Sequence, residues 1–189
     1  MPTSDTQGKD IVLEWYRQIA PKTVVDIGAG SGTYARLMRA KDTPECILAD
    51  RGEPVRIVWP NHWTAVEAWE PYVSQYDLTA WYDQVLIGDL RRLSWPALAA
   101  DLVIAGDVLE HMHREQACTV LRRIKQGAQH LIVSIPVLHL PQEAVNGNPY
   151  EQHIDHWTPQ AMAAELGADI RESWVGDVLG YWWWAREGA

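Results

Sequence analysis

Val24-Val25-Asp26-Ile27-Gly28-Ala29-Gly30-Ser31-Gly32-Thr33 joins a short β-branched run to three glycines at alternate positions, with an acid two residues before the first glycine. The apolar run reads as a buried parallel strand. Tyr34, Leu37 and Met38 then follow at helical spacing, so the glycines occupy a strand-to-helix turn. Glycine there admits positive φ and lets a ligand approach the main chain closely. A dinucleotide fingerprint requires G-x-G-x-x-G with a pyrophosphate on the helix N-terminus. This loop runs G-x-G-x-G and carries Thr33 where the third glycine would stand. Asp26 adds negative charge, which disfavours a pyrophosphate and suits an amino or sulfonium group, so an NAD-dependent enzyme is the poorer reading.

At these residues the chain resembles the class I methyltransferases that use S-adenosyl-L-methionine, whose first motif is an acid followed by alternating glycines between strand one and helix one. The resemblance implies that Asp26, Gly28, Ala29, Gly30 and Gly32 surround the cofactor. It implies a second strand ending in an acid for the ribose hydroxyls, and Cys46-Ile47-Leu48-Ala49-Asp50 is an apolar run ending in Asp50. A third strand ending near Gly-Asp beside the adenine matches Asp83 to Leu90, giving Asp89 and Leu90. A fourth strand ending in an acid matches Ala100 to Met112, giving Asp107. These motifs occur in the family's order and span roughly Ile11 to Arg186. The fold they imply is a doubly wound, mostly parallel seven-stranded α/β sheet with helices on both faces, Rossmann-like, with one antiparallel strand near the edge. The alternation of strand and helix patterns leads independently to a doubly wound sheet.

Length and composition suit one domain over residues 1–189. The chain is 47% hydrophobic, enough to bury a core without disulfides or metal staples. Its net charge of -9 argues against gripping a polyanion by bulk electrostatics, so nucleic acid is an unfavoured partner. Arg91-Arg92 and Arg122-Arg123-Lys125 are the basic clusters, and the second reads as the solvated face of a helix. Cys46 and Cys118 lie outside any C-x-x-C spacing and read as small hydrophobes, which suits a reducing compartment. Met1 to Lys9 is polar, and no apolar stretch approaches the roughly twenty residues that span a bilayer, so a cytoplasmic protein with no membrane partner is expected.

Along the chain, Asp10 is expected to cap a helix with Val12, Trp15, Tyr16 and Ile19 on one stripe, ended by Pro21 and placed to lid the cofactor. Residues 51–82, rich in Trp and Pro, read as an elaboration with a short helix near Thr64 to Trp69. A helix from Arg114 to Gln126 should stop at Gly127 in the left-handed position that follows a helix, before a fifth strand, Leu131 to Ile135. Residues 136–157 lack periodicity and read as a functional, substrate-side loop. Thr158-Pro159 starts the last helix and Gly167 ends it. Ile170–Val175 and Tyr181–Arg186 read as an antiparallel pair, with the run Tyr181-Trp182-Trp183-Trp184 going into the core.

Methyl transfer from a sulfonium needs mainly alignment, because the cofactor carries the reactive methyl. A base is needed only when the acceptor must lose a proton. Imidazole suits that task, and His111, beside the fourth-strand motif, is the first choice, with Tyr150 and His153 behind it. The expected acceptor is a small molecule methylated on oxygen or nitrogen, with no metal. Two alternatives stand beside this reading. One is a metal-dependent RNA 2′-O-methyltransferase, because Asp107-x-x-Glu110-His111 resembles part of the metal site of small-RNA terminal methyltransferases, with His139 or His153 to complete it. The other is a non-catalytic S-adenosylmethionine-binding protein.

Overall fold

The computed structural model describes residues 5–42, 59–93 and 99–189. β1 (Thr23–Ile27) lies at the middle of the molecule because its side chains are buried on both faces, as a central parallel strand requires. It pairs parallel with β2 (His62–Glu67) on one side and β4 (Ala100–Gly106) on the other. β3 (Gln84–Ile87) pairs parallel outside β2, and β5 (Ala128–Pro136) outside β4. β7 (Leu179–Ala185) runs antiparallel to both β5 and β6 (Ile170–Val175). The order is therefore β3-β2-β1-β4-β5-β7-β6. The sheet is mixed: the parallel part ends at β5, and the expected antiparallel pair forms the remaining edge.

Helices cover both faces. α1 (Lys9–Ile19) and α2 (Thr33–Asp42) supply Val12, Trp15, Tyr16, Tyr34 and Met38 to one core, with Trp63, Leu102, Ile104 and Tyr181. α4 (Arg114–Gly127) and α5 (Pro159–Leu166) supply Ala117, Val120, Leu121, Met162 and Leu166 to the other, against Val25, Val103, Val133, Trp182 and Trp184. Trp182 and Trp184 thus face one core and Tyr181 the other, by the two-residue alternation of a strand, and the aromatic run is core as expected.

Several local expectations change. The strand beside β1 among the described residues is His62–Glu67; the expected second strand at Cys46–Asp50 lies outside the described residues. A strand, not a helix, forms over Thr64 to Glu67. Ala65 and Val66 are fully buried, and residues buried on both faces belong to a central strand even where their sequence has no alternation. The short helix comes later, as α3 (Pro71–Gln75). At α1, Asp10 lies in the first turn and the cap position is Gly8, with φ 75°; a Cβ there would fall 2.6 Å from the Tyr181 ring. Gly127 is the last residue of α4, with extended Ala128 following, so helix passes into β5 without a left-handed residue. α5 follows expectation: Thr158 Oγ1 accepts from Ala161 N–H, Pro159 leads, and Gly167 ends the helix at φ 79°.

Candidate functional site

The chain adds β2 and β3 on one side of β1 and β4 and β5 on the other, and this reversal of strand order leaves a crevice between β1 and β4 outside the carboxyl ends of the parallel strands, where ligands of such sheets bind. A cavity of about 250 Å³ occupies it, walled by Gly28, Ala29, Gly30, Glu67, Asp89, Leu90 and Asp107 on the strand side. The opposite wall holds His111, Leu140, Gln142, Tyr150, Glu151 and His153. Gly28 N–H donates to Val66 O at 2.8 Å, and Gly28 and Gly30 take φ 67° and 54°, which bares the turn's backbone towards the cavity. A Cβ on Gly28 would lie 2.8 Å from Val108, so the turn also needs glycine for space.

Glu67, at the end of β2, was not singled out from the sequence. Its Oε2 accepts from Gly30 N–H and its Oε1 from Trp69 N–H, both at 2.8 Å, which ties the glycine turn to the neighbouring strand. Burial pushes its carboxyl above the usual range, while those two backbone donors favour the charged form. The signal was an acid closing Trp63-Thr64-Ala65-Val66-Glu67, an apolar run that Trp and Thr disguise.

Asp26 is placed differently from expectation. Its carboxylate is buried beneath the turn and accepts from the Tyr82 hydroxyl at 2.5 Å, so it supports the loop and does not wall the cavity. Burial raises its pKa to about 7, against the Tyr82 bond and the nearby Lys9 ammonium, which lower it. Gly32 likewise stands behind the wall, at φ 75° beside Leu78 and Tyr82. Asp26 is turned away because the strand's alternation sends residue 26 into the α1–α2 core.

Asp89 is on the wall, bonded by the Arg91 guanidinium and Arg91 N–H, and Arg91 holds its pKa below the usual carboxylate range. Asp107 ends β4 with a left-handed φ of 52°. It caps no helix by side chain: Oδ1 accepts from Ser134 Oγ at 2.7 Å and Oδ2 is buried with no hydrogen-bond partner. Behind it a buried chain runs from Lys9 Nζ to Tyr34 OH at 2.9 Å and from Tyr34 OH to Ser134 Oγ at 3.1 Å. That chain fixes Asp107 from the far side of the sheet. Among the described residues of α1 and its lead-in, only Asp5 reaches the cavity wall, so the helix itself supports the site and does not lid it.

On the acceptor side, a 3₁₀ turn at Leu109–His111 follows β4, and the segment 136–157 folds back onto it. Ile154 and Asp155 N–H donate to Glu110 O at 2.8 and 3.0 Å. Arg114 pairs with Asp155 at 3.0 Å and lies 3.7 Å from the Trp157 ring centroid. These fastenings bring His153 against His111, ring centroids 4.9 Å apart. Nδ1 of His111 lies 3.0 Å from Gln152 O, and Nδ1 of His153 lies 2.6 Å from Leu140 O. A carbonyl accepts only, so each Nδ1 carries hydrogen, and in the neutral ring the lone pair is then on Nε2. Burial lowers the His111 pKa, keeping it neutral at pH 7. Glu110, 3% exposed, has both carboxylate oxygens buried and unpartnered, and burial with Asp107 nearby pushes its pKa well above the usual range. Tyr150, 38% exposed, stands at the mouth. His139 lies edge-on to His156, apart from the His111–His153 pair.

Sheet order and a cavity at the strand ends define the class, a doubly wound α/β domain. A family profile described as a methyltransferase domain matches residues 9–168, and the chain belongs to that family. No curated protein matches the chain. Among solved structures, magnesium protoporphyrin IX methyltransferase (ChlM) of Synechocystis PCC 6803 with bound SAH aligns at TM-score 0.66 and 16% identity, over 95% of this chain and 82% of that one. The small RNA methyltransferase HEN1 aligns at TM-score 0.68 and 17% identity, over 97% of this chain but 25% of the other. The N-terminal domain of EvdMO1 with SAH bound aligns at 0.61 and 12%, over 96% and 82%. At these identities the likeness is one of fold. No described helix is long and apolar enough to cross a membrane.

Proposed function

We propose that this chain is an S-adenosylmethionine-dependent methyltransferase acting on oxygen or nitrogen of a small molecule. One observation carries it: the cavity is continuous from the glycine turn and Glu67 to the histidines of the segment 136–157, so cofactor and acceptor walls face one space. The residues fit that cofactor. The bared Gly28–Gly30 backbone admits the amino-acid part, Asp107 Oδ2 offers a free acceptor for its ammonium, Glu67 is the ribose acid, and Asp89 with Leu90 forms the adenine side. When bound, the cofactor supplies an electrophilic methyl on sulfur.

The chain's own task is alignment and proton handling. Tyr150 and Leu140 hold the acceptor at the mouth, and burial by the segment 136–157 limits water. Where the acceptor must lose a proton, the His111 Nε2 lone pair receives it, because its Nδ1 is committed to the Gln152 carbonyl. The net charge of -9 favours a small acceptor over a nucleic acid. The test is methyl transfer from labelled cofactor to a panel of phenols, hydroxy acids and amines. Label in a small product supports the reading; cofactor binding without transfer to any acceptor supports a non-catalytic binder instead.

A further inference from the structure

Glu110, His111 and His153 each offer a ligand atom within 4.8 Å of the others. An independent observation concerns the same place: the Glu110 carboxylate is buried with neither oxygen hydrogen-bonded. Buried carboxylates are otherwise paired, hydrogen-bonded or bound to metal. The imidazoles are prepared in a matching way. Each Nδ1 is held by a backbone carbonyl, of Gln152 and of Leu140, which fixes the tautomer and leaves Nε2 as the electron-pair donor. Such outer bonds orient histidine ligands in metal sites and raise their basicity.

We propose that Glu110, His111 and His153 bind one divalent first-row transition cation on the acceptor wall of the cavity. Two imidazoles and a carboxylate suit manganese, iron, cobalt or zinc, rather than magnesium or calcium, which prefer oxygen alone. With ligand bonds near 2.1 Å, neighbouring donors stand about 3.0–3.4 Å apart, so the three side chains close inward on the ion by about an ångström. The rings can tilt to do this while their carbonyl bonds act as pivots. Three protein ligands leave open positions, and all three residues wall the cavity, so those positions face the acceptor space. His139, set against His156, is not part of the set.

With the ion in place the two Nε2 lone pairs would be its ligands and His111 would take no proton; the cation would instead lower the pKa of an acceptor hydroxyl in an open position, whose proton would pass to solvent water. That consequence rests on the methyl-transfer reading; the cation site itself does not.

The test is titration of the chelator-treated full-length protein with Co²⁺ and Mn²⁺, by ligand-field absorption and calorimetry, with S-adenosylhomocysteine binding measured on the same samples. The expected result is one Co²⁺ per chain, with affinity falling more than about tenfold in Glu110→Gln and in His153→Ala, unchanged in His139→Ala. S-adenosylhomocysteine affinity should persist in all three, showing intact folds. No saturable Co²⁺ or Mn²⁺ binding by the wild type overturns the proposal, as does binding that survives both ligand substitutions. Loss of S-adenosylhomocysteine binding by the wild type, with cation binding kept, would contradict the methyltransferase reading alone.

Discussion

On the strand side of the cavity, Gly28, Gly30 and Glu67 are locked by hydrogen bonds that link β1 to β2. The facing wall comes from residues 136–157, which beyond Pro136, the last residue of β5, hold a 3₁₀ turn at Pro149–Glu151 and a bridge between Val145 and Asn148 but no further strand. Its outer residues Leu138, Leu140, Tyr150 and Ile154 are exposed. A wall made of strand ends cannot move without breaking sheet pairing. A wall made of loop can be re-aimed by its fastenings alone, the Arg114–Asp155 pair and the two bonds to Glu110 O. The difference fits a constant partner on one side and a chain-specific one on the other, since loops carry variable function on a rigid scaffold.

The largest expected effect breaks the acceptor wall alone. His111→Ala removes a proton acceptor, or an ion ligand, and should lower turnover by about 10²-fold or more, leaving S-adenosylhomocysteine affinity unchanged in calorimetry. Parallel losses in both would mean that the walls are not separable. On the opposite wall, Glu67→Ala removes a charged acceptor for two hydroxyls, each bond being worth roughly 1.5–3 kcal/mol. Cofactor affinity should fall by about a hundredfold. Asp50→Ala, which the sequence reading would place in that role, provides the comparison: a loss there with none at Glu67 would contradict the ribose assignment.

Beneath the strand-side wall, Gly106→Ala would place a methyl 2.1 Å from the buried Tyr34 ring and push apart the Tyr34–Ser134–Asp107 chain. Overpacking of this kind costs about 1–3 kcal/mol, readable as a lower urea midpoint. The smallest effect is on pH dependence. Asp26 has a folded pKa of about 7 against the ordinary aspartate value of 3.8, so the native state holds a proton that the unfolded chain releases between these values. Stability should therefore fall as pH rises from about 4 to about 7, by at most about 1.4 kcal/mol per pH unit from this group. Asp26→Asn should flatten that slope; an unchanged slope would show that Asp26 is ionised throughout.

The same contrast explains what the sequence disclosed. The glycine turn, Asp89 and Asp107 were legible because backbone geometry and strand ends demand particular residue types at fixed spacing. Glu67 was hidden because Trp63 and Thr64 hide a strand buried on both faces, while Cys46 to Asp50 offers a cleaner apolar run. Asp26 was legible as an acid but not as a buried one, since its partner Tyr82 is 56 residues away. The histidines were visible singly. Their meeting, and the choice of His153 over His139, depends on a loop whose path is set by Arg114, Asp155 and Trp157, and spacing says nothing of that.

The central claim is that the strand-side wall is built for S-adenosylmethionine, and calorimetry of the full-length chain with S-adenosylmethionine, its demethylated product and NAD tests it most directly. Saturable binding of the first two, lost in Gly30→Val, with no heat from NAD, is the expected result. Tight NAD binding with no heat from S-adenosylmethionine or its product would contradict the account.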